Sequence, residues 1–293
     1  MKIGVIKDPK QGEARVGMTP ENVKILVEAG NEVLVDSNAG AGCGFTNDLY
    51  EAAGGQIVDT ETAWEAELIV KVKEPMESEY KYFKPGQIIW GFLHLAANKA
   101  CVEKMMEVGV TAISGENISI NGVLELLKPM SAIAGRRAVN IGQYYLEKQH
   151  EGEGILLPGI EGIEAGTVVI FGGGNAAENA ADMAVKPGSV IVDIAIDQGG
   201  TVETIDHATN HADPVFIKHG IIHYAVPNMP GATPRTATIA LAQGNISFLK
   251  DISVKGLDEA LKSKELLSGL SVYKGKVVSK ALADSIDVTY TEL

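Results

Sequence analysis

Cysteine is nearly absent from this chain: Cys43 and Cys101 are far apart and match no metal-binding or redox spacing. A disulfide scaffold is therefore not expected, no metal site is called, and both thiols are read as buried groups in a reducing compartment. Positive charge is also short. The 25 Lys and Arg residues face 38 Asp and Glu, a formal net charge of −13 at pH 7. Nucleic acids and anionic membrane surfaces select basic patches, so neither is expected as a partner. No apolar run approaches the roughly 18 residues of a membrane span. The opening MKIGVIKDPK has no signal-peptide core, so a cytoplasmic location is expected. No tandem repeat or low-complexity tract occurs. What the chain does have is a hydrophobic content of 45% over 293 residues, enough for two cores or one large one.

Short β-branched runs alternate with helical stretches from the first residue, the pattern of a parallel α/β sheet. MKIGVI (1–6) reads as a strand. Thr19-Pro20-Glu21 then opens a helix, with Thr as N-cap and Pro at the first helical position, and Gly30 closes it. NEVLVD (31–36), LIVKVKE (68–74), QIIWGFLH (87–94) and TAIS (111–114) continue the strand series, and EKMMEVG (103–109) belongs to a helix ending on glycine. A second α/β unit begins at TVVIFGGG (167–174) and continues through SVIVDIAID (189–197) and IIHYAVPNMPG (221–231). Between the units, residues 128–149 read as a long connecting helix. Residues 236–293 hold two further helical patterns and are expected to return to the first domain. The expected division is residues 1–127 plus 236–293 as a substrate domain and 128–235 as a dinucleotide-binding domain.

In open parallel sheets, ligands lie beyond the carboxyl ends of the strands. The ends of the first unit carry Glu13, Arg15, Lys73, Glu74, His94 and Glu116; those of the second carry Gly172-Gly173-Gly174, Asp197 and Asn228. Such a set suits a small anion. Arginine grips a carboxylate bidentately, and Lys73 adds a second charged donor. His94 and Asp197 offer proton transfer near neutral pH. Each residue also has an ordinary explanation: a surface arginine, a lysine at a strand end, a core histidine among Phe92, Leu93 and Leu95, and an aspartate in a turn. Only their joint placement argues for function.

The glycine turn is a sharper signal. Gly172-Gly173-Gly174-Asn175-Ala176-Ala177 fits G-x-G-x-x-[GA] after the strand VVIF and before a helical pattern, the context of a dinucleotide fingerprint. Such a fingerprint asks for an acidic residue about 20 positions on, and Asp193 stands 21 past Gly172.

The stretches GEARVGMTPENV (12–23), VKVKEP (70–75), GFLHLA (91–96), KPMS (128–131), VIVDIAIDQGG (190–200) and HYAVPNMPGATPRTAT (223–238) together resemble alanine dehydrogenases. The resemblance covers nearly the whole chain, with domain I of proton-translocating transhydrogenase as a more distant relative. It implies two Rossmann-like parallel-sheet domains. It also implies an NAD-dependent oxidoreductase that converts L-alanine reversibly to pyruvate and ammonium, with hydride passing to NAD. By the same resemblance, Arg15 and Lys73 hold the substrate carboxylate and carbonyl, His94 assists proton transfer and Asp197 is the catalytic aspartate. Ser131, Gly172, Gly174, Ala177 and Asn228 line the cofactor site, and the protein is expected to be a homo-oligomer, a hexamer by family resemblance.

One departure stands out. Family members interpose strands and helices before KPGSVIVD, whereas here Val185 runs straight into Lys186-Pro187-Gly188. A six-stranded fold would keep strands one, five and six and lose two, three and four, along with most of the adenosine pocket. On this reading Asp193 lies inside a late strand and is not the ribose ligand. NAD binding is then expected to be weak or lost. The alternatives are an impaired or inactive remnant and, last, a transhydrogenase-like binding module.

Overall fold

The computed structural model describes residues 1–163, 166, 168–170, 176, 180, 190–196, 202, 205–218 and 221–293. The chain divides into two compact units, residues 1–127 with 234–293, and residues 128–233.

The first unit opens with six parallel strands: β1 (Lys2–Val5), β2 (Glu32–Asp36), β3 (Gln56–Val58), β4 (Leu68–Val70), β5 (Ile88–Gly91) and β6 (Thr111–Ser114). They lie in the order β6-β5-β4-β1-β2-β3, with Ile3 of β1 opposite both Val33 and Leu68. Helices α1 (Pro20–Glu28), α2 (Asn47–Ala52), α3 (Thr60–Ala63) and α4 (Lys99–Val108) connect them. Because helices cover a parallel sheet, its strands must be apolar on both sides. Ile3, Val5, Ile69, Val70, Ile89, Trp90, Ala112 and Ile113 accordingly have no exposed surface. Each aliphatic side chain so buried contributes about 1.5–3 kcal/mol. Gly4 shows how tightly β1 is covered: a Cβ there would lie 2.3 Å from the Ala63 carbonyl oxygen of α3. The start of α1 follows from its sequence. Thr19 Oγ1 accepts the Asn22 N–H, Asn22 Oδ1 accepts the Thr19 N–H, and Pro20 occupies the first turn.

The second unit holds α5 (Lys128–Leu146) and a three-stranded sheet of β7 (Val190–Val192), β8 (Val215–Lys218) and β9 (Ile221–Tyr224). The order is β7-β9-β8, with β7 parallel and β8 antiparallel to β9. Ala134, Ala138, Tyr224, Val226 and Met229 form its core. The small residues of α5 permit a close approach: a Cβ on Gly135 would lie 2.0 Å from the Ala176 oxygen and 3.0 Å from the Ala180 nitrogen. Both alanines are helical, as the pattern after the glycine turn predicts.

The chain then re-enters the first unit through α6 (Pro234–Lys255). Strands β10 (Leu270–Tyr273) and β11 (Lys276–Val277) extend the sheet antiparallel from the β6 edge, and a last helix spans Lys280–Ile286. Strands β3, β8, β10 and β11 are absent from the sequence reading. Among the described residues, no helix is long and apolar enough to cross a membrane.

Candidate active site

The winding of the first sheet reverses between β1 and β4, and the loops beyond the carboxyl ends of these strands converge there. The loop after β1 folds back across β4: a Cβ on Gly17 would lie 2.8 Å from Val70 Cγ1 and 3.2 Å from the Lys71 oxygen. The loop is held from other directions as well. The Val16 N–H donates to Thr238 Oγ1 of α6 at 3.1 Å, and the Tyr50 hydroxyl donates to the Met18 carbonyl at 2.8 Å.

This folding places Arg15 in the interior. Its Nε donates to Glu13 Oε1 at 2.7 Å and its Nη2 to Glu13 Oε2 at 2.5 Å. Both side chains are almost fully buried, at 4% and 0% exposure. Lys73, beyond the end of β4, is also buried. Its backbone N–H donates to Asp8 Oδ2 at 2.9 Å, but among the described residues no ion pair reaches its ammonium. Burial, and then the charge of Arg15, push the Lys73 ammonium below its usual range, while Glu13 and Glu74 partly offset this. Lys10 is paired with Glu74 at 2.6 Å. Beneath the crevice a network unforeseen from sequence supports these loops. Lys71 has no exposed surface, meets Glu79 at 2.6 Å and lies 3.8 Å from Asp8.

His94 follows β5 in a left-handed conformation, φ 43° and ψ 43°. A non-glycine residue in that region carries strain of order 1–2 kcal/mol, so something must hold it. Glu116, just beyond β6, does so: its two carboxylate oxygens accept the N–H groups of Leu93 at 3.1 Å and His94 at 2.8 Å. Burial pushes the Glu116 carboxyl up, against the pull of those hydrogen bonds. Burial first, and then the charge of Lys73, push His94 down to about 4, so its imidazole is neutral at pH 7. Arg15, Lys73 and His94, singled out from the sequence, thus lie in one electrostatically coupled crevice.

In the second unit, Ser131 is half-buried on the first turn of α5. Asn228 takes a left-handed conformation, φ 59° and ψ 42°, and caps the turn Met229–Ala232. Gly172, Gly174, Ala177 and Asp197 lie outside the described residues. Asp193 is displaced from its expected place inside a strand. β7 ends at Val192, and Asp193 Oδ1 instead accepts the Ala195 N–H at 2.9 Å in a turn, while its own N–H still donates to the Tyr224 carbonyl. A short polar side chain that bonds its own backbone two residues on ends the strand there. Both cysteines are free and buried, as expected. Burial raises the Cys43 thiol and pushes Cys101 up to about 12, which leaves them unreactive.

Comparison with known proteins bears on both units. A family model described as alanine dehydrogenase/PNT, N-terminal domain, matches residues 4–134. The corresponding C-terminal domain model matches in two pieces, residues 138–186 and 184–280. The chain is 47% identical to alanine dehydrogenase 1 of Staphylococcus aureus strain Mu50 over 368 aligned positions, covering 100% of the chain and 99% of that relative. Among solved structures, an L-alanine dehydrogenase is similar with a TM-score of 0.92 and 36% identity, covering 98% of this chain and 99% of that one. A transhydrogenase from Sinorhizobium meliloti shares the fold, with a TM-score of 0.79 at 20% identity over 95% of this chain and 100% of its own. The 368 aligned positions exceed the 293 residues of this chain by 75. The two C-terminal pieces meet at residues 184–186, where the sequence itself places the shortening.

Proposed function

The chain belongs to the alanine dehydrogenase/PNT family, and on that premise we propose that it interconverts L-alanine with pyruvate and ammonium, with NAD as a weakly held redox partner. The observation that carries the reading is the crevice of the first unit. A buried ammonium that no carboxylate reaches as an ion pair among the described residues, Lys73, stands with a buried arginine and a neutral histidine at the switch point of the sheet. In this reading Lys73 and Arg15 bind and orient the substrate carboxylate and carbonyl, and their charges stabilise negative charge that develops on oxygen.

His94 acts as the proton-transfer group, and its tuning supports that role. The charges of Lys73 and Arg15 help to hold its basicity down. A substrate carboxylate neutralises those charges, so the imidazole becomes a better base once substrate is in place. Asp197 is the second catalytic residue of the reading.

In this reading Ser131 and Asn228 of the second unit would hold the cofactor, the role that the family resemblance gives them. NAD, when bound, supplies the hydride acceptor. The finer claim of weak binding rests on the 75 positions that a close relative has and this chain lacks. An inactive remnant is the second reading, favoured by the same shortfall. NADH formation from L-alanine and NAD tests the first. Asp197→Asn should abolish turnover while leaving pyruvate binding in place, and unchanged turnover would remove Asp197 from the mechanism.

A further inference from the structure

The Lys73 ammonium lies in the field of several charges: Arg15, Glu13, Glu74 and Lys10 act on it, and it acts in turn on Glu116. An ammonium on a flexible four-carbon stem, free to choose among three carboxylates, would pair with one of them and be withdrawn from substrate. Its direction must therefore be set by the backbone that carries it. The ladder between β4 and β5 ends where the Phe92 N–H donates to the Val72 carbonyl at 2.9 Å. The next N–H along the chain, that of Lys73, donates to Asp8 Oδ2 at 2.9 Å. Asp8 is itself buried and fixed from two sides. Its other oxygen accepts the Lys10 N–H at 3.3 Å, and Lys71 Nζ lies 3.8 Å from Oδ2. Lys71 cannot drift, since its side chain has no exposed surface and meets Glu79 Oε1 at 2.6 Å. Glu79 Oε2 in turn accepts the Met76 N–H at 2.8 Å.

We infer that Asp8 is a positioning residue for Lys73: its buried carboxylate, held from behind by Lys71, fixes the Lys73 peptide and so aims the ammonium into the crevice. The inference rests on the crevice being the substrate site, as proposed above. What Asp8 supplies is an acceptor oxygen in a fixed place. The Lys73 N–H and the Lys71 ammonium both face the same oxygen, Oδ2. An asparagine at position 8 can therefore put its carbonyl there and loses only the weaker bond to Lys10. An alanine leaves the Lys73 N–H without its acceptor and the peptide free to shift. A displacement of about 1 Å in a group that orients substrate costs up to about a hundredfold.

The test is binding, measured by calorimetric titration of the whole chain with pyruvate. Asp8→Ala should weaken pyruvate about tenfold or more. Asp8→Asn keeps the oxygen, and Glu79→Gln takes a carboxylate from Lys71 but leaves the Lys73 N–H its acceptor, so both should stay within about threefold of the unchanged chain. Charge balance around Lys71 alone would instead penalise all three variants alike. An unaltered affinity in folded Asp8→Ala, or a loss in either of the other two as large as in Asp8→Ala, would overturn the assignment to Asp8 and leave the site reading standing. No binding of pyruvate by the unchanged chain would overturn both. Should Asp8→Ala not fold, hydrogen exchange at the Lys73 amide tests the same bond in the unchanged chain. Protection is expected there, and exchange at the rate of an exposed amide would overturn the assignment.

Discussion

His94 concentrates the residue-scale chemistry, because its position, protonation and strain have separate causes. Its side chain is pushed down to about 4 by burial and by Lys73. A folded-state value below the ordinary 6.5 means that the unfolded chain takes up the proton first. The stability tied to neutral His94 is therefore complete above pH 6.5 and is lost as pH falls toward 4, by about 3 kcal/mol in all. Titration of the His94 ring by NMR should give a midpoint near 4 in the free protein and a higher one with pyruvate bound; the same midpoint in both states would break the link between substrate charge and basicity. Its backbone depends on Glu116. In Glu116→Gln one oxygen acceptor becomes an amide that opposes an N–H, so about 1–3 kcal/mol of stability should be lost. The His94 amide proton should also move upfield. An unmoved amide would mean that the turn holds itself. Arg15, Lys73 and His94 were legible in the sequence because short apolar runs locate the strands, and these residues lie in the loops beyond their carboxyl ends. The left-handed turn at His94 was not, since its cause, Glu116, lies 22 residues further on. Lys71 was hidden for a similar reason: a lysine inside an apolar run needs a buried partner, and no spacing identifies Glu79 or Asp8 as that partner.

At the scale of elements, the strands read from the sequence were short β-branched or apolar runs that alternate with helical stretches. β3 escaped because its three residues, QIV, show no usable alternation. β10 and β11 escaped because their hairpin turns on Lys274 (φ 48°) and Gly275 (φ 78°), where the favoured signal is Asn-Gly. Lysine is tolerated there because its N–H donates to Thr111 Oγ1 at 3.0 Å and its ammonium lies 4.6 Å from the centre of the Tyr273 ring. The connecting helix α5 was legible from its small-residue start, and those residues now have a reason. Gly135→Ala would drive a methyl group into the Ala176 carbonyl, where backbone cannot yield cheaply. The expected cost is about 2–3 kcal/mol in urea unfolding. A variant as stable as the parent would show that α5 is not anchored on residues 176 and 180.

For the whole molecule, the two units have unequal inheritances. The first carries a six-stranded parallel sheet with its switch-point crevice, extended by a late hairpin. The second carries three strands among the described residues, and the chain is 75 positions shorter than its alignment with an alanine dehydrogenase of 47% identity. The place of the shortening was legible, because Lys186-Pro187-Gly188 follows the helical pattern without an intervening strand and the two matched C-terminal pieces meet at residues 184–186. How the remaining strands pair was not, because pairing depends on which neighbours survive. The proposed substrate crevice and the proposed weak cofactor site are tested together by the NADH dependence of pyruvate-and-ammonium-driven NADH oxidation. The predicted result is oxidation that requires both co-substrates and rises without saturation to about 1 mM NADH, the regime of a contact worth only about 4 kcal/mol. Saturation at micromolar NADH would contradict the weakened cofactor site, and no pyruvate-dependent oxidation at any NADH concentration would contradict the enzyme.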